Sequence, residues 1–170
     1  GDDLVIRGNS VLTSLTGLEN VQSLGDDLVI LGNDALITIS ALDDIQFIVG
    51  DLYVESNKEL TSLSGLESIQ SVGGDMGILW NDALLTLSAL DNIQFVVGEL
   101  SVRSNKELAS LSGLENIQSV GRNLEVWGND VLASLSGLEN LESVGNDFVV
   151  GNNNDLTSMT ELSSLMKVDG

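Results

Sequence analysis

Apolar residues recur at fixed positions along the whole chain. Sliding the sequence by 24 places superimposes Asn9, Asn33, Asn57, Asn81, Asn105, Asn129 and Asn153 without an insertion or deletion, and seven such repeats account for 168 of the 170 residues. With the positions of one repeat numbered as columns 1 to 24, columns 4, 6, 12, 15, 18, 21 and 24 are apolar in all seven repeats, 49 positions of 49. These are the expected core, and a repeat of this length is the signature of a solenoid, in which each unit buries its apolar face only against its neighbours.

The spacing within a repeat predicts its elements. Asp3 to Arg7 alternates with period 2, which points Leu4 and Ile6 inward and Asp3, Val5 and Arg7 outward, as in a strand. From Leu12 onward the apolar residues fall every third position (Leu15, Leu18, Val21, Leu24). That interval suits neither a long helix nor a long strand, but it does suit short extended and turn-like pieces that lead back to the next rung. Strands are therefore expected around residues 4 to 6, 28 to 30, 52 to 54, 76 to 78, 100 to 102, 124 to 126 and 148 to 150. Running in one direction about 4.8 Å apart, they pair in parallel and stack to roughly 34 Å. The predicted fold is an all-β, parallel β-solenoid of seven 24-residue coils with little α-helix, one repeat domain over 1–170. The Asn column is expected to form a ladder that satisfies the buried turn after each strand. Column 17, mostly Gly or Ala, and Val72-Gly73-Gly74 mark tight corners. Neither end carries a charged, helical or disulfide-bonded cap. The array is therefore expected to continue in a longer polypeptide or to stack on copies of itself through its open ends, as a filament or surface layer.

A second period is superimposed on the first. Residues 41 to 88 match 89 to 136 at 31 of 48 positions, with Ser-Asn-Lys-Glu-Leu at 56–60 and 104–108 and Ile-Gln-Phe at 45–47 and 93–95. Duplication of coil pairs explains this. The run Ser71-Val72-Gly73-Gly74-Asp75-Met76 leading to Asn81-Asp82-Ala83-Leu84, with the return segment Leu114-Glu115-Asn116-Ile117, resembles leucine-rich repeats. It is most similar to the receptor L-domain variant found in receptor ectodomains and in fungal cell-wall proteins. What the resemblance implies is a secreted or cell-surface binding scaffold.

Composition narrows the chemistry. The chain has no Cys and no His, which removes disulfides, thiol nucleophiles, zinc fingers, haem ligation and imidazole acid–base catalysis. Twenty-six acidic against six basic residues give a net charge of −20, which repels nucleic acid and anionic membranes. No apolar run approaches a membrane span, so insertion is not expected.

The outward columns 3, 5 and 7, with column 8, form the face on which a ligand is expected, because repeat scaffolds present such faces. Leu31, Tyr53, Leu79, Trp80, Arg103 and Trp127 are its candidate binding residues; both tryptophans of the chain lie here. Mutual shielding of neighbouring side chains is the structural alternative. Column 3 carries Asp27, Asp51 and Asp75 one rung apart, a possible calcium position, although an acidic rim that keeps the protein soluble explains it as well; column 19 reads the same way. Columns 14 and 16 hold Ser or Thr in every repeat, an array similar to the ice-binding faces of antifreeze β-solenoids, or else hydroxyls that satisfy local turns. Stacked carboxylates meet the spacing of a glycosidase pair automatically, so nothing singles out a catalytic pair. No enzymatic activity and no required cofactor are expected. The function expected is a noncatalytic extracellular recognition or adhesion module that binds protein or glycan through the strand face. A self-assembling structural unit and an ice-binding solenoid are the alternatives.

Overall fold

The computed structural model describes residues 3–170; Gly1 and Asp2, part of the predicted 1–170 domain, lie outside the described residues. The chain is an all-β parallel β-solenoid of seven coils. Its first sheet has seven strands, Leu4–Arg7, Leu28–Leu31, Leu52–Glu55, Met76–Leu79, Leu100–Arg103, Leu124–Trp127 and Phe148–Gly151, stacked in chain order. Register is fixed at 24 residues, Leu4 on Leu28, Leu28 on Leu52 and onward, so every inward column stacks on itself. Among the described residues helical structure is confined to three short 3-10 turns, Ser40–Leu42, Ser88–Leu90 and Thr160–Ser164.

The three-residue spacing comes from consecutive turns. In the second coil the N–H of Leu36 donates to Asn33, that of Leu42 to Ile39, and that of Ile45 to Leu42. Each such turn brings one apolar side chain inward every third residue, and the remaining coils repeat the pattern. Column 24 then enters a second sheet that the apolar pattern did not separate from the turns. It has six two-residue strands, Phe47–Ile48, Ser71–Val72, Phe95–Val96, Ser119–Val120, Ser143–Val144 and Lys167–Val168. Two residues are too few to show an alternation.

The core columns are buried throughout coils two to six and half-buried at the outer coils. Two of the 49 predicted core residues, Met159 and Val168, are instead exposed, because no described coil follows the seventh. The Asn column lies at the bend after the first sheet. The Asn81 side-chain oxygen accepts the Asn57 N–H at 3.1 Å, and its nitrogen donates to the Val54 carbonyl at 2.8 Å. Asn33, Asn57, Asn105, Asn129 and Asn153 do the same for the coil before each. One side chain thus satisfies a buried donor and a buried acceptor of the preceding coil.

The 48-residue period is also visible in three dimensions. Over the first five coils column 17 alternates between Gly17, Gly65 and Gly113 at φ near +110° and Ala41 and Ala89 inside 3-10 turns; the sixth coil breaks the alternation with Gly137 at φ 111° and the seventh with Glu161 in a 3-10 turn. Column 10 alternates as well, so that Lys58 pairs with Asp34 at 2.9 Å and Lys106 with Asp82 at 2.8 Å.

Candidate functional site

The first sheet turns columns 5 and 7 outward. All six candidate residues lie on it or at its edge, one or two per coil from the second to the sixth. Leu79 and Tyr53 meet around Gly77, whose missing side chain leaves the space that the Tyr53 ring occupies. The same device recurs at Trp127, whose ring fills the space above Gly151. In columns 5 and 7 glycine occurs only at 77 and 151, each one coil after an aromatic residue. The aromatic rings therefore lean along the sheet into the next coil. That glycine signal stands in the sequence but shows only when the columns are read by coil.

Arg103 is registered between Leu79 and Trp127 in column 7. Its Nη1 donates to Glu125 Oε2 at 3.2 Å, while its Nε is buried with no partner. Arg103, Glu125, Trp127 and Val149 line a hollow of about 220 Å³. Glu125 and Val149 belong to this site although sequence reasoning did not single them out; only contact with Arg103 and Trp127 distinguishes them. Leu31 stands apart, registered between Arg7 and Glu55.

Trp80 lies one residue beyond its strand rather than on it, at φ 53°. Every described column-8 residue has a positive φ: Gly8, Gly32, Ser56, Ser104, Gly128 and Asn152 are the others. Glycine and small polar residues tolerate this left-handed region, whereas a bulky side chain there is an outlier that costs about 1–2 kcal/mol. The indole is nevertheless 45% exposed, so burial alone does not explain its place.

Tyr53 is the single tyrosine of the chain. Burial, then the carboxylates of Asp75, Asp51, Glu99 and Glu55, push its phenol up to about 12. Its phenolate absorbance is expected to rise near pH 12 in the native chain, and near pH 10 once unfolded in urea. Because the folded value is the higher one, the contribution of Tyr53 to stability is complete below pH 10 and is lost as the pH rises from 10 to 12. A native midpoint near 10 would mean that the ring does not sit among those carboxylates.

The acidic columns hold backbone. Asp27, Asp51 and Asp75 each accept, through Oδ1, the N–H of the column-3 residue in the next coil at 2.7 to 2.8 Å. Among the described residues no three acidic side chains converge as a cation site would need. In column 19, Glu19, Glu67, Glu115 and Glu139 accept the N–H of the glycine two residues before, and that bond from Gly17 holds the Glu19 carboxyl below its usual range. In five coils the hydroxyls of columns 14 and 16 bond to each other, as Ser14 to Thr16 and Ser134 to Ser136, both at 3.0 Å, and in the second and fourth the Thr38 and Thr86 hydroxyls accept the N–H of Ser40 and Ser88. A hollow of about 670 Å³, lined by Phe148, Val150, Leu156 and Leu162 among others, is the end of the core at the seventh coil. No described helix is long and apolar enough to cross a membrane. Compared with protein-family models, curated proteins and solved structures, the chain matches none.

Proposed function

We propose that this protein is a noncatalytic recognition module, displayed outside the cell, that binds a protein or glycan through the outer face of its first sheet. The observation that carries the reading is Trp80. A large ring is held in a backbone conformation suited to glycine, at the edge of the middle strand, with nearly half its surface exposed. Strain kept at an exposed aromatic residue is characteristic of ligand contacts. Trp127, 37% exposed, and the Arg103–Glu125 pair supply a second contact point two coils away. The resemblance to receptor L domains agrees with a binding scaffold at the cell surface. Engagement of the column-3 and column-19 carboxylates by backbone favours binding over carboxylate catalysis.

The test uses Trp80→Gly, because glycine suits φ 53°. Trp80→Gly is expected to be more stable than Trp80→Ala by about 1 kcal/mol in urea unfolding. Screened on an array of neutral and charged glycans and a panel of cell-surface ectodomains, the wild type is expected to bind a defined subset that Trp80→Gly and Trp127→Ala both lose. Binding that survives both substitutions, or no binding by the wild type on either panel, would sink the reading.

A further inference from the structure

Through the first five coils the side of the solenoid that carries the second sheet is uncharged, in a chain of net charge −20. Residues 22–25, 46–49, 70–73, 94–97 and 118–121, which form this side of the first five coils, include no acidic or basic residue. The first charge further along this side is Glu142 in the sixth coil, followed by Lys167 and Asp169 in the seventh.

The outward positions of this strip alternate from coil to coil. Phe47 and Val49 project from the second coil and Phe95 and Val97 from the fourth, 52%, 62%, 47% and 62% exposed. The third and fifth coils present Ser71 with Gly73, and Ser119 with Gly121. Phe47, Ser71, Phe95 and Ser119 lie in one register, so ridge and furrow alternate at about 4.8 Å. The furrows are built into the backbone: a side chain at Gly73 or Gly121 would collide with the carbonyl of Val49 or Val97. The rings of Phe47 and Phe95 stand about half exposed on the ridges between these furrows.

We propose that this face docks on the same face of a second copy of the chain. A two-fold axis parallel to the strands reverses the order of the coils but preserves position along each strand. In the register that centres the contact between the third and fourth coils, Phe47 seats over Ser119, Val49 over Gly121, Phe95 over Ser71 and Val97 over Gly73. The contact is isologous, and a shift by one coil sets ridge against ridge. Charge selects the occupant. Two copies at −20 repel wherever carboxylates face each other, and this strip lets them meet without that; a basic partner gains nothing from an uncharged face. Five rungs about 4.8 Å apart and about four residues wide make a strip of roughly 300 Å² in plan, so the pair buries less than about 1,200 Å², the range of weak, reversible complexes. Because the contact is uncharged and the molecules are not, salt strengthens the dimer by screening their repulsion.

Sedimentation of the 170-residue chain from about 10 µM to about 1 mM is expected to show a monomer–dimer equilibrium that tightens about tenfold or more between low salt and about 0.5 M NaCl. Phe95→Glu is expected to weaken it at least about tenfold by placing a charge on the ridge. Ser71→Phe is the sharper variant: it adds apolar surface but fills a furrow, so it too is expected to weaken the dimer about tenfold. Circular dichroism melts confirm folding, and Ser119→Phe, which fills the other furrow, replaces Ser71→Phe if that variant is unfolded. A strict monomer throughout, a dimer that weakens with salt, or a filled-furrow variant that associates as tightly as the wild type overturns the proposal. The strip lies on a different sheet from Trp80, so this result is independent of ligand binding there.

Discussion

Replacing Asn81 with Asp is expected to destabilise the solenoid more than replacing it with Ala. The Asn81 amide satisfies two groups of the preceding coil, the Asn57 N–H and the Val54 carbonyl, and is fully buried. Ala orphans both, and at about 1–3 kcal/mol for each buried unsatisfied group the loss is about 3 kcal/mol. Asp still accepts from Asn57, but at neutral pH it sets a carboxylate against a carbonyl oxygen in the core, for a loss of about 4–5 kcal/mol. The burial and the carbonyl raise the pKa of the new carboxyl above its unfolded value. The protonated form, which can donate to Val54, is therefore favoured in the folded chain, and the deficit shrinks as the pH falls through the carboxylate range. Urea unfolding of both variants at pH 7 and near pH 4 checks this. If Asn81→Ala is as stable as the wild type, the ladder has no energetic role; if the two variants are equally destabilised at pH 7, the carboxylate of the Asp variant is not held against the Val54 carbonyl.

Asn81 also shows why so much of the fold was legible. An invariant polar column amid apolar columns has few physical solutions, and the period-2 run before it fixes which side chains of the strand face inward. The second sheet was hidden because Phe47–Ile48 and its equivalents are two residues long, so neither period 2 nor period 3 registers there. At the candidate site, Tyr53, Trp80 and Trp127 stood out as aromatic breaks in the repeat. Their settings did not. The left-handed backbone at Trp80 is written in the other coils, as glycine, serine or asparagine in column 8, and the seats of the other two rings are written one coil later, at Gly77 and Gly151. The hydrogen bonds of the carboxylates were hidden for a related reason. A column of Asp looks solvated in one dimension, whereas stacking places each Asp oxygen beside the next coil's N–H. Interactions at a separation of 24 residues become readable only when the columns are compared across coils.

Gly113→Ala is expected to be among the most damaging single-methyl changes available, at about 3–5 kcal/mol, and Gly17→Ala the control that explains why. Both glycines occupy column 17, at φ +113° and +110°, where an L-residue is strained by about 1–3 kcal/mol. Their surroundings differ. A Cβ on Gly17 meets nothing within 4 Å, whereas one on Gly113 runs into the Leu87 carbonyl and the Ser88 nitrogen of the preceding coil. Those are backbone atoms in a sheet-locked stack, so they cannot rotate aside as a side chain would, and overpacking adds about 1–3 kcal/mol more. Gly17→Ala should therefore lose only the strain, about 1–2 kcal/mol. Because each coil is stabilised mainly by its neighbours, the Gly113 variant should also unfold less cooperatively, with a lower denaturant slope, as the interface between the fourth and fifth coils opens first. Equal losses for the two variants in urea unfolding would mean that the coils do not approach as closely at column 17 as their backbones indicate. A larger loss for Gly113→Ala together with a reduced slope would identify column 17 as the place where the pitch of the solenoid is set.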